Sequence, residues 1–223
     1  MRVVLAVALV AVLAVGALVG VRYLWLPHSR PSLAAGEIYG IDVSHYQGEI
    51  DWPKVAGDGI DFAYIKATEG GDTVDDHFDA NWRGARAAGV KVGAYHFFTL
   101  CRTGADQAAN MLEVVPVTGA DLPAAVDLEF PNNCADRPSV ATVQRELKDF
   151  LDASLAATGQ PVLLYVQDEF DAQYDITGTF DSPTWVRHLL RRPGGDWTVW
   201  QCSDLAAVDG IDGGVDLDVM RGA

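Results

Sequence analysis

Two carboxylates, Asp127 and Glu129, stand one residue apart in the apolar stretch "PAAVDLEF", residues 123–130. Side chains of a β-strand alternate between its two faces, so both acids share one face with Ala125, and the apolar residues between and after them share the other. Two residues along a strand span about 6.5 Å, and like charges that close raise one of the two pKa values. The pattern predicts a carboxylic acid that donates a proton beside a carboxylate that stays ionised, the pair used in glycoside hydrolysis.

The same spacing also fits a solvated edge strand, or two acids paired with lysine or arginine. Further acids favour the chemical interpretation. Asp42 stands near the end of the first strand pattern, and Asp216 and Asp218 alternate in "GVDLDVM" near the C-terminus. First and last strands are neighbours in a closed barrel, so we expect Asp42 and Asp216 to meet the first two acids at one mouth, where barrel active sites collect.

Aromatic residues recur beside these acids, and their rings suit stacking on sugars. Each of them, taken alone, is more often a core residue than a ligand platform. Together with the acids they form our candidate set of substrate-binding residues, which is Tyr46, Tyr95, Tyr165, Trp185 and Trp200.

Strand and helix patterns alternate from residue 37 to about residue 175. Helical periodicity and stop signals predict helices within residues 75–89, 103–115 and 139–159, each between two strand patterns. Beyond residue 175 the helical signal fades, and three more strand patterns follow. This order predicts an α/β fold, a modified TIM-like β/α barrel in which β/α units come first and plain strands close the barrel.

The first 27 residues form a separate, almost continuously apolar segment. It is long enough to cross a hydrocarbon layer of about 30 Å as a helix, so we expect an uncleaved transmembrane anchor with the remaining domain outside the cell membrane. A cleaved signal peptide, which would leave the protein secreted, is the alternative. Residues 28–36 have the composition of a short linker, and residues 37–223 form one domain, which we expect to be monomeric.

Composition excludes several function classes. The net charge of −15 argues against nucleic-acid binding, which needs basic patches. The absence of C-x-x-C and H-x-x-x-H spacings gives a metal site little support, and we expect no cofactor. Nucleotide-binding glycine motifs and G-x-S-x-G are also absent. Ser44 and His45 are adjacent, and adjacent strand residues point to opposite faces, which argues against a serine hydrolase.

Seven stretches resemble, in order, the family 25 glycoside hydrolases, the Chalaropsis-type lysozymes. They are "YGIDVSHYQGEIDW", "FAYIKATEG", "GAYHFF", "AVDLEF", "LLYV", "VWQ" and "GIDGGVDLDV". The resemblance spans residues 38–222 and implies a flattened β/α barrel as the catalytic domain. It also implies a muramidase that cleaves the β-1,4 bond between N-acetylmuramic acid and N-acetylglucosamine in peptidoglycan glycan strands.

The resemblance also implies roles for single residues. Glu129 matches the proton donor, and Asp127 matches the neighbouring acid, which is either the nucleophile or the group that orients the substrate acetamide; both routes retain the anomeric configuration. Asp42 and Asp216 match two further acids of the site. The substrate cleft of the family falls at Tyr95, Tyr165 and Trp185. Asp218 departs from the family pattern, because asparagine is common there, and it adds an acid near the site.

Two other functions remain open from the sequence. One is a membrane-tethered peptidoglycan-binding protein with little or no turnover, and the other is a chitinase-like enzyme, which also uses a D-x-E strand. The four acids favour the muramidase over the binding protein, because a binding module does not need them together. The opening "DVSHYQG" argues against the chitinase.

The three cysteines predict one disulfide. Cys101 follows the strand "GAYHFF" and Cys134 follows "AVDLEF", and these strands would be parallel neighbours. A bridge between them closes a loop of about 33 residues, worth about 3 kcal/mol in the chain-entropy model. Cys202 would remain a packed free thiol. We also expect His96 to be buried and hydrogen-bonded.

Overall fold

The computed structural model describes residues 12–16, 19–116 and 120–222 of the chain. Its centre is a nine-stranded sheet in the order β1-β9-β8-β7-β6-β5-β4-β2-β3, and pairing of β1 with β2 closes eight of the strands into a barrel. The strands are β1 (Glu37–Val43), β2 (Phe62–Glu69), β3 (Thr73–Val74), β4 (Lys91–Phe97), β5 (Ala125–Leu128), β6 (Leu163–Val166), β7 (Thr184–Arg187), β8 (Val199–Ala206) and β9 (Val215–Arg221).

Strand directions confirm the predicted fold class. Neighbouring strands are parallel from β1 through β2, β4, β5, β6 and β7 to β8. The last strand, β9, is antiparallel to both β8 and β1. The chain therefore forms a β/α barrel, and its last three strands, β7, β8 and β9, are connected in the described residues by loops without helices.

The α-helices after the N-terminal segment are α1 (Trp52–Gly57), α2 (Phe78–Ala87), α3 (Gly104–Val114), α4 (Val140–Thr158), α5 (Asp168–Tyr174) and α6 (Ile176–Thr179). The sequence predicts α2, α3 and α4. It does not predict α1, α5 or α6, because seven residues or fewer make too few turns to show a helical period.

Local signals fix the ends of the predicted helices. The Thr103 side chain accepts a hydrogen bond from the Asp106 amide at the start of α3, and Ser139 accepts one from the Thr142 amide at the start of α4. Gly159 ends α4 in the left-handed conformation at φ 70°, which costs glycine little. Such caps are worth about 1 kcal/mol each.

Each strand separates two apolar layers. Val126 and Leu128 of β5 face outward into the main core between the sheet and the helices, whereas Ala125 faces the barrel interior. The interior is filled by a smaller cluster that includes Phe62, Tyr64, Leu163, Trp185 and Met220. The barrel is therefore packed in its depth, and the acidic residues stand at its mouth.

Residues 27–36, called here the strap, pack against the outside of the strand-closed part of the barrel. The Ala207 amide donates to the Pro27 carbonyl at 2.7 Å, and Arg30 binds the Asp58 carboxylate at 2.5 Å. Arg192 donates to the Ser32 carbonyl at 2.8 Å. These contacts hold residues 27, 30 and 32 against the barrel, within or beside the stretch predicted as a linker.

The apolar segment before the strap is described only in part. Residues 1–11 and 17–18 of the expected anchor lie outside the described residues. Among those that are described, no helix is both long enough and apolar enough to span a membrane. Several apolar side chains of this segment are exposed, among them Val12, Leu13, Tyr23 and Trp25.

Candidate active site

A pocket opens at the mouth of the barrel, and the four predicted catalytic acids line it. They come from three strands: Asp42 from β1, Asp127 and the following Glu129 from β5, and Asp216 from β9. Four of the five predicted aromatic residues line the same pocket, namely Tyr46, Tyr95, Tyr165 and Trp185. The structure therefore brings together nearly all of the candidate set.

The first pair of acids, called here the helix-backed pair, consists of Asp127 and Glu129. Burial raises the pKa of Glu129 to about 7, with the negative charge of Asp216 acting in the same direction and the cations Arg187 and Lys66 opposing it. Burial also raises the pKa of Asp127 well above its ordinary range, and Glu129 is the largest charge that adds to this effect. A carboxyl group of either residue can therefore hold a proton at neutral pH.

These pKa shifts agree with the prediction only in part. The sequence predicted that the charge of Asp127, together with limited hydration at the barrel mouth, raises the pKa of Glu129, and that Asp127 stays ionised. In the structure burial dominates both shifts, and the Oδ1 atom of Asp127 is buried without a hydrogen-bond partner. Two close carboxyls titrate as a unit, so the protons belong to the pair.

The second pair, called here the seam pair, consists of Asp42 and Asp216. They stand opposite each other where β1 and β9 pair antiparallel. Burial raises the pKa of Asp216 to about 6, and burial together with the charge of Asp216 raises the pKa of Asp42. Asp42 accepts one hydrogen bond, from the Gln201 amide at 3.1 Å.

Two glutamines organise the acids, and the sequence assigned a role to neither. Gln201 joins the seam pair to the aromatic wall, because its Oε1 accepts from the Tyr165 hydroxyl at 3.1 Å while its amide binds Asp42. Gln167 follows β6 and donates through Nε2 to Oε2 of Glu129. Gln167 is the first residue after β6, and Glu129 is the first residue after β5. A polar residue directly after a parallel strand is the sequence signal that could have identified Gln167 as a site residue.

The loop after Glu129 is fixed from two sides. The Asn133 amide donates to the Glu129 carbonyl at 2.9 Å and to the Phe98 carbonyl at 2.8 Å. The next residue, Cys134, is bonded to Cys101, which confirms the predicted disulfide, and Cys202 is a buried free thiol as expected. The backbone that carries Glu129 is thereby tied to the end of β4.

Trp200 is the one predicted substrate contact that lies elsewhere. It is 1% exposed, packs in the outer core, and its indole donates to the His188 carbonyl at 2.7 Å. Adjacent residues of a strand face opposite ways, and Gln201 occupies the pocket face. Trp200 is therefore a core residue, and the alternation along "VWQ" would have excluded it.

The remaining polar residues of the motifs have structural partners. Lys66 and Glu69 pair at 2.6 Å. His96 is buried between Thr68 and Gln107, and burial lowers its pKa to about 4, so it is neutral at neutral pH. His45 binds the Asp75 carboxylate at 2.8 Å.

Comparison with known proteins adds a family to this geometry. The sequence model described as "Glycosyl hydrolases family 25" matches residues 41–211. Protein YegX of Escherichia coli K12 is 37% identical over 199 residues, which cover 85% of this chain and 71% of the relative. Lysozyme M1 of Streptomyces globisporus is 34% identical over 206 residues, which cover 83% of this chain and 68% of the relative.

Among solved structures, a family 25 glycosyl hydrolase from Bacillus anthracis superposes with a TM-score of 0.79 at 32% identity. The match covers 88% of this chain and 94% of the other. The residues matched by the family model include Asp42, Asp127 and Glu129.

Proposed function

The chain belongs to glycosyl hydrolase family 25, and from that premise we propose that it is a muramidase acting on bacterial peptidoglycan. The bond cleaved is the β-1,4 linkage between N-acetylmuramic acid and N-acetylglucosamine. The observation that carries the proposal is the position of Glu129, partly buried at the barrel mouth beside Asp127, with burial raising its pKa to about 7. A carboxyl with that pKa keeps a proton for a leaving group under near-neutral conditions.

Glu129 donates its proton to the glycosidic oxygen. Gln167 holds one carboxyl oxygen through its amide, which leaves the other free to face the substrate. Asn133 and the disulfide hold the backbone of Glu129 in place. A donor held in one orientation loses little entropy when the bond breaks, and this positioning is part of the rate enhancement.

Asp127 acts on the other side of the reacting carbon. It either attacks the anomeric carbon or orients the substrate acetamide that does so, and both routes retain the anomeric configuration. Asp127 lines the pocket beside Glu129, which places its carboxyl group near bound substrate. Positive charge that develops on the sugar favours the ionised form of Asp127 as the reaction proceeds.

The seam pair and the aromatic residues hold the substrate. Asp42 and Asp216 offer acceptors for sugar hydroxyls, amides or water, and Tyr46, 75% exposed at the rim, offers a ring face for stacking. Tyr165 and Trp185 form the wall of the pocket with their rings 5.2 Å apart. We assign these residues to binding and the helix-backed pair to bond cleavage.

The apolar N-terminal segment, in this proposal, tethers the enzyme to the cell membrane with the barrel on the outer side, where peptidoglycan lies. Its composition and its exposed Tyr23 and Trp25, residue types that suit a membrane interface, support the tether. Fractionation of cells, followed by protease treatment of intact cells, tests it: full-length protein in the membrane fraction with a protease-sensitive barrel is expected. A shortened protein in the medium would show secretion instead.

Reducing-end analysis of digested peptidoglycan tests the reaction. The purified full-length chain should release fragments whose new reducing end is N-acetylmuramic acid. New N-acetylglucosamine ends would assign a different glycosidase. Binding to peptidoglycan without any new reducing ends would instead favour the binding-protein alternative.

A further inference from the structure

Asp218 lies one layer below the pocket and is buried completely, at 0% exposure. It stands on β9 two residues after Asp216, so both acids share the inward face of the strand. Its sheet partners are Gly40 on β1 and Gln201 on β8. A carboxyl group at this depth needs either a cation or a proton.

One oxygen of Asp218 has a partner and the other has none. Oδ1 accepts a hydrogen bond from the Trp185 indole at 2.9 Å, and Oδ2 is buried without a partner. Gly40 offers no donor side chain, and any Cβ there would lie 2.3 Å from the Phe62 ring. Gln201 is also engaged, since its amide already binds Asp42.

The charges around Asp218 are unfavourable to a carboxylate. Burial, and next the charge of Asp216, raise the pKa of Asp218 well above its ordinary range, and no lysine or arginine offsets this within residues 19–116 and 120–222. The titratable groups near it on the inward face are Asp42 on β1, Tyr64 on β2 and Asp216 on β9, and Cys202 lies on the outer face of β8.

We propose that Asp218 is a positioning residue that carries a proton on one oxygen in the resting protein and accepts a hydrogen bond from the Trp185 indole with the other. This inference rests on the proposed muramidase activity, because it gives Asp218 a role in shaping that pocket. The proton lets three acids stand together without three charges. The protonated side chain also fixes Trp185 in the pocket wall.

Two substitutions of Asp218 distinguish the effect of its hydrogen bonds from the effect of its size. Asp218→Asn keeps one acceptor and one donor without any charge, so it should mimic the protonated acid. Asp218→Leu is similar in size but leaves the Trp185 indole without an acceptor. Trp185 lines the pocket, so its displacement should lower kcat/KM about ten- to a hundredfold, the equivalent of one unpaired buried donor. The asparagine variant should recover activity to within about threefold of the wild type.

The dependence of kcat/KM on pH tests the charge directly. If Asp218 is neutral, Asp218→Asn removes no charge, and the alkaline limb, set by Glu129 near pH 7, stays in place. If Asp218 is ionised, the same substitution removes a negative charge, lowers the pKa values of the remaining acids and moves the alkaline limb to lower pH. A limb that moves in this way overturns the proposal.

Infrared difference spectroscopy gives a measurement that does not depend on activity. At neutral pH, the spectrum of the full-length wild type minus that of Asp218→Asn should show the C=O stretching band of a protonated carboxylic acid. A carboxylate band in its place overturns the proposal. Should the wild type fail to cleave peptidoglycan, the proposed function fails, while the infrared band still decides whether Asp218 holds a proton.

Discussion

The helix-backed pair and the seam pair reach the same pocket by different routes. Asp127 and Glu129 come from one strand and its end, and α4 and the disulfide loop follow them in the chain. Asp42 and Asp216 come from opposite ends of the domain and meet only because β9 returns antiparallel to β1. The first pair is thus specified locally, whereas the second depends on closure of the barrel.

The two pairs also differ in the charges near them. Two cations, Arg187 and Lys66, lower the pKa of Glu129 against the effect of burial, and Lys66 does the same for Asp127. In the seam pair, Arg187 also lowers the pKa of Asp216, whereas Asp42 has only the Gln201 amide acting in that direction. Because both acids of the helix-backed pair lie near a cation, we expect that pair to change its ionisation during a reaction, and we expect the seam pair to hold substrate. The predictions below test that division of roles.

The largest effect is expected from Glu129→Gln. The amide keeps the shape of the side chain but has no acidic proton, and general acid catalysis contributes about 10²- to 10⁴-fold. Turnover of peptidoglycan should fall by about 10³-fold or more, while binding to insoluble peptidoglycan should persist. Glu169→Gln, the same chemical change at an exposed position on α5, is the matched control. Near-normal turnover by Glu129→Gln would refute its role as the donor.

Amide substitutions at the other three acids should have a larger effect in the helix-backed pair than in the seam pair. Asp127→Asn should be nearly as damaging as Glu129→Gln, because it removes the group that acts at the anomeric carbon. Asp42→Asn and Asp216→Asn should each cost about ten- to a hundredfold, the value of a hydrogen bond to a charged group. Steady-state kinetics on peptidoglycan would measure this, with losses at the seam pair appearing mainly in KM. Equal losses in kcat at all four positions would remove the distinction.

Much of the helix-backed part could be predicted from sequence, because its signals are local. The D-x-E alternation, the caps at Thr103 and Ser139, and the cysteines after neighbouring strands all lie within short stretches of chain. The meeting of Asp42 with Asp216 was also predicted, but only through the assumption of a closed barrel. What could not be predicted needed three-dimensional context: the dominance of burial over charge in the pKa shifts, and the Gln167 contact.

The disulfide should stabilise the helix-backed part by about 3 kcal/mol, as expected for a loop of this length. Replacing Cys101 and Cys134 together by alanine should lower the free energy of unfolding in urea by that amount. Wild-type protein in a reducing agent should approach the same value, and the double variant should not respond to the reductant. A double variant as stable as the oxidised wild type would show that the loop is held by Asn133 and its neighbours alone.

The raised pKa values predict a pH dependence of stability. A carboxyl whose pKa is higher in the folded than in the unfolded state binds more protons when folded, so the free energy of unfolding falls as pH rises between the two values. The windows run from about 4 to about 6 for Asp216 and from about 4 to about 7 for Glu129. Chemical denaturation across this range should show maximal stability on its acid side.

Asp216→Asn sharpens this test at the seam. The variant lacks the buried charge, so at mildly alkaline pH it should be more stable than the wild type by on the order of 1 kcal/mol, while at acid pH the two should agree. Activity and stability would then change in opposite directions at one residue. Equal stability of the two proteins at both pH values would mean that water at the pocket mouth solvates Asp216 well enough to keep its pKa ordinary.

The smallest effect is expected where the strap meets the outside of the seam. Arg30 binds the Asp58 carboxylate and carbonyl and lies over the Tyr39 ring at 5.7 Å, and it is about one-fifth exposed. Arg30→Ala should therefore lower the free energy of unfolding by about 1 kcal/mol, the upper end for a surface ion pair. Arg83→Ala is the control, because its pair with Asp79 on α2 is 71% and 80% exposed and should contribute about 0.3 kcal/mol. The strap stands where other strands of the barrel have helices, so a loss at Arg30 above that at Arg83 indicates that residues 27–36 belong to the folded domain. Equal losses at both positions would return these residues to the role of a linker.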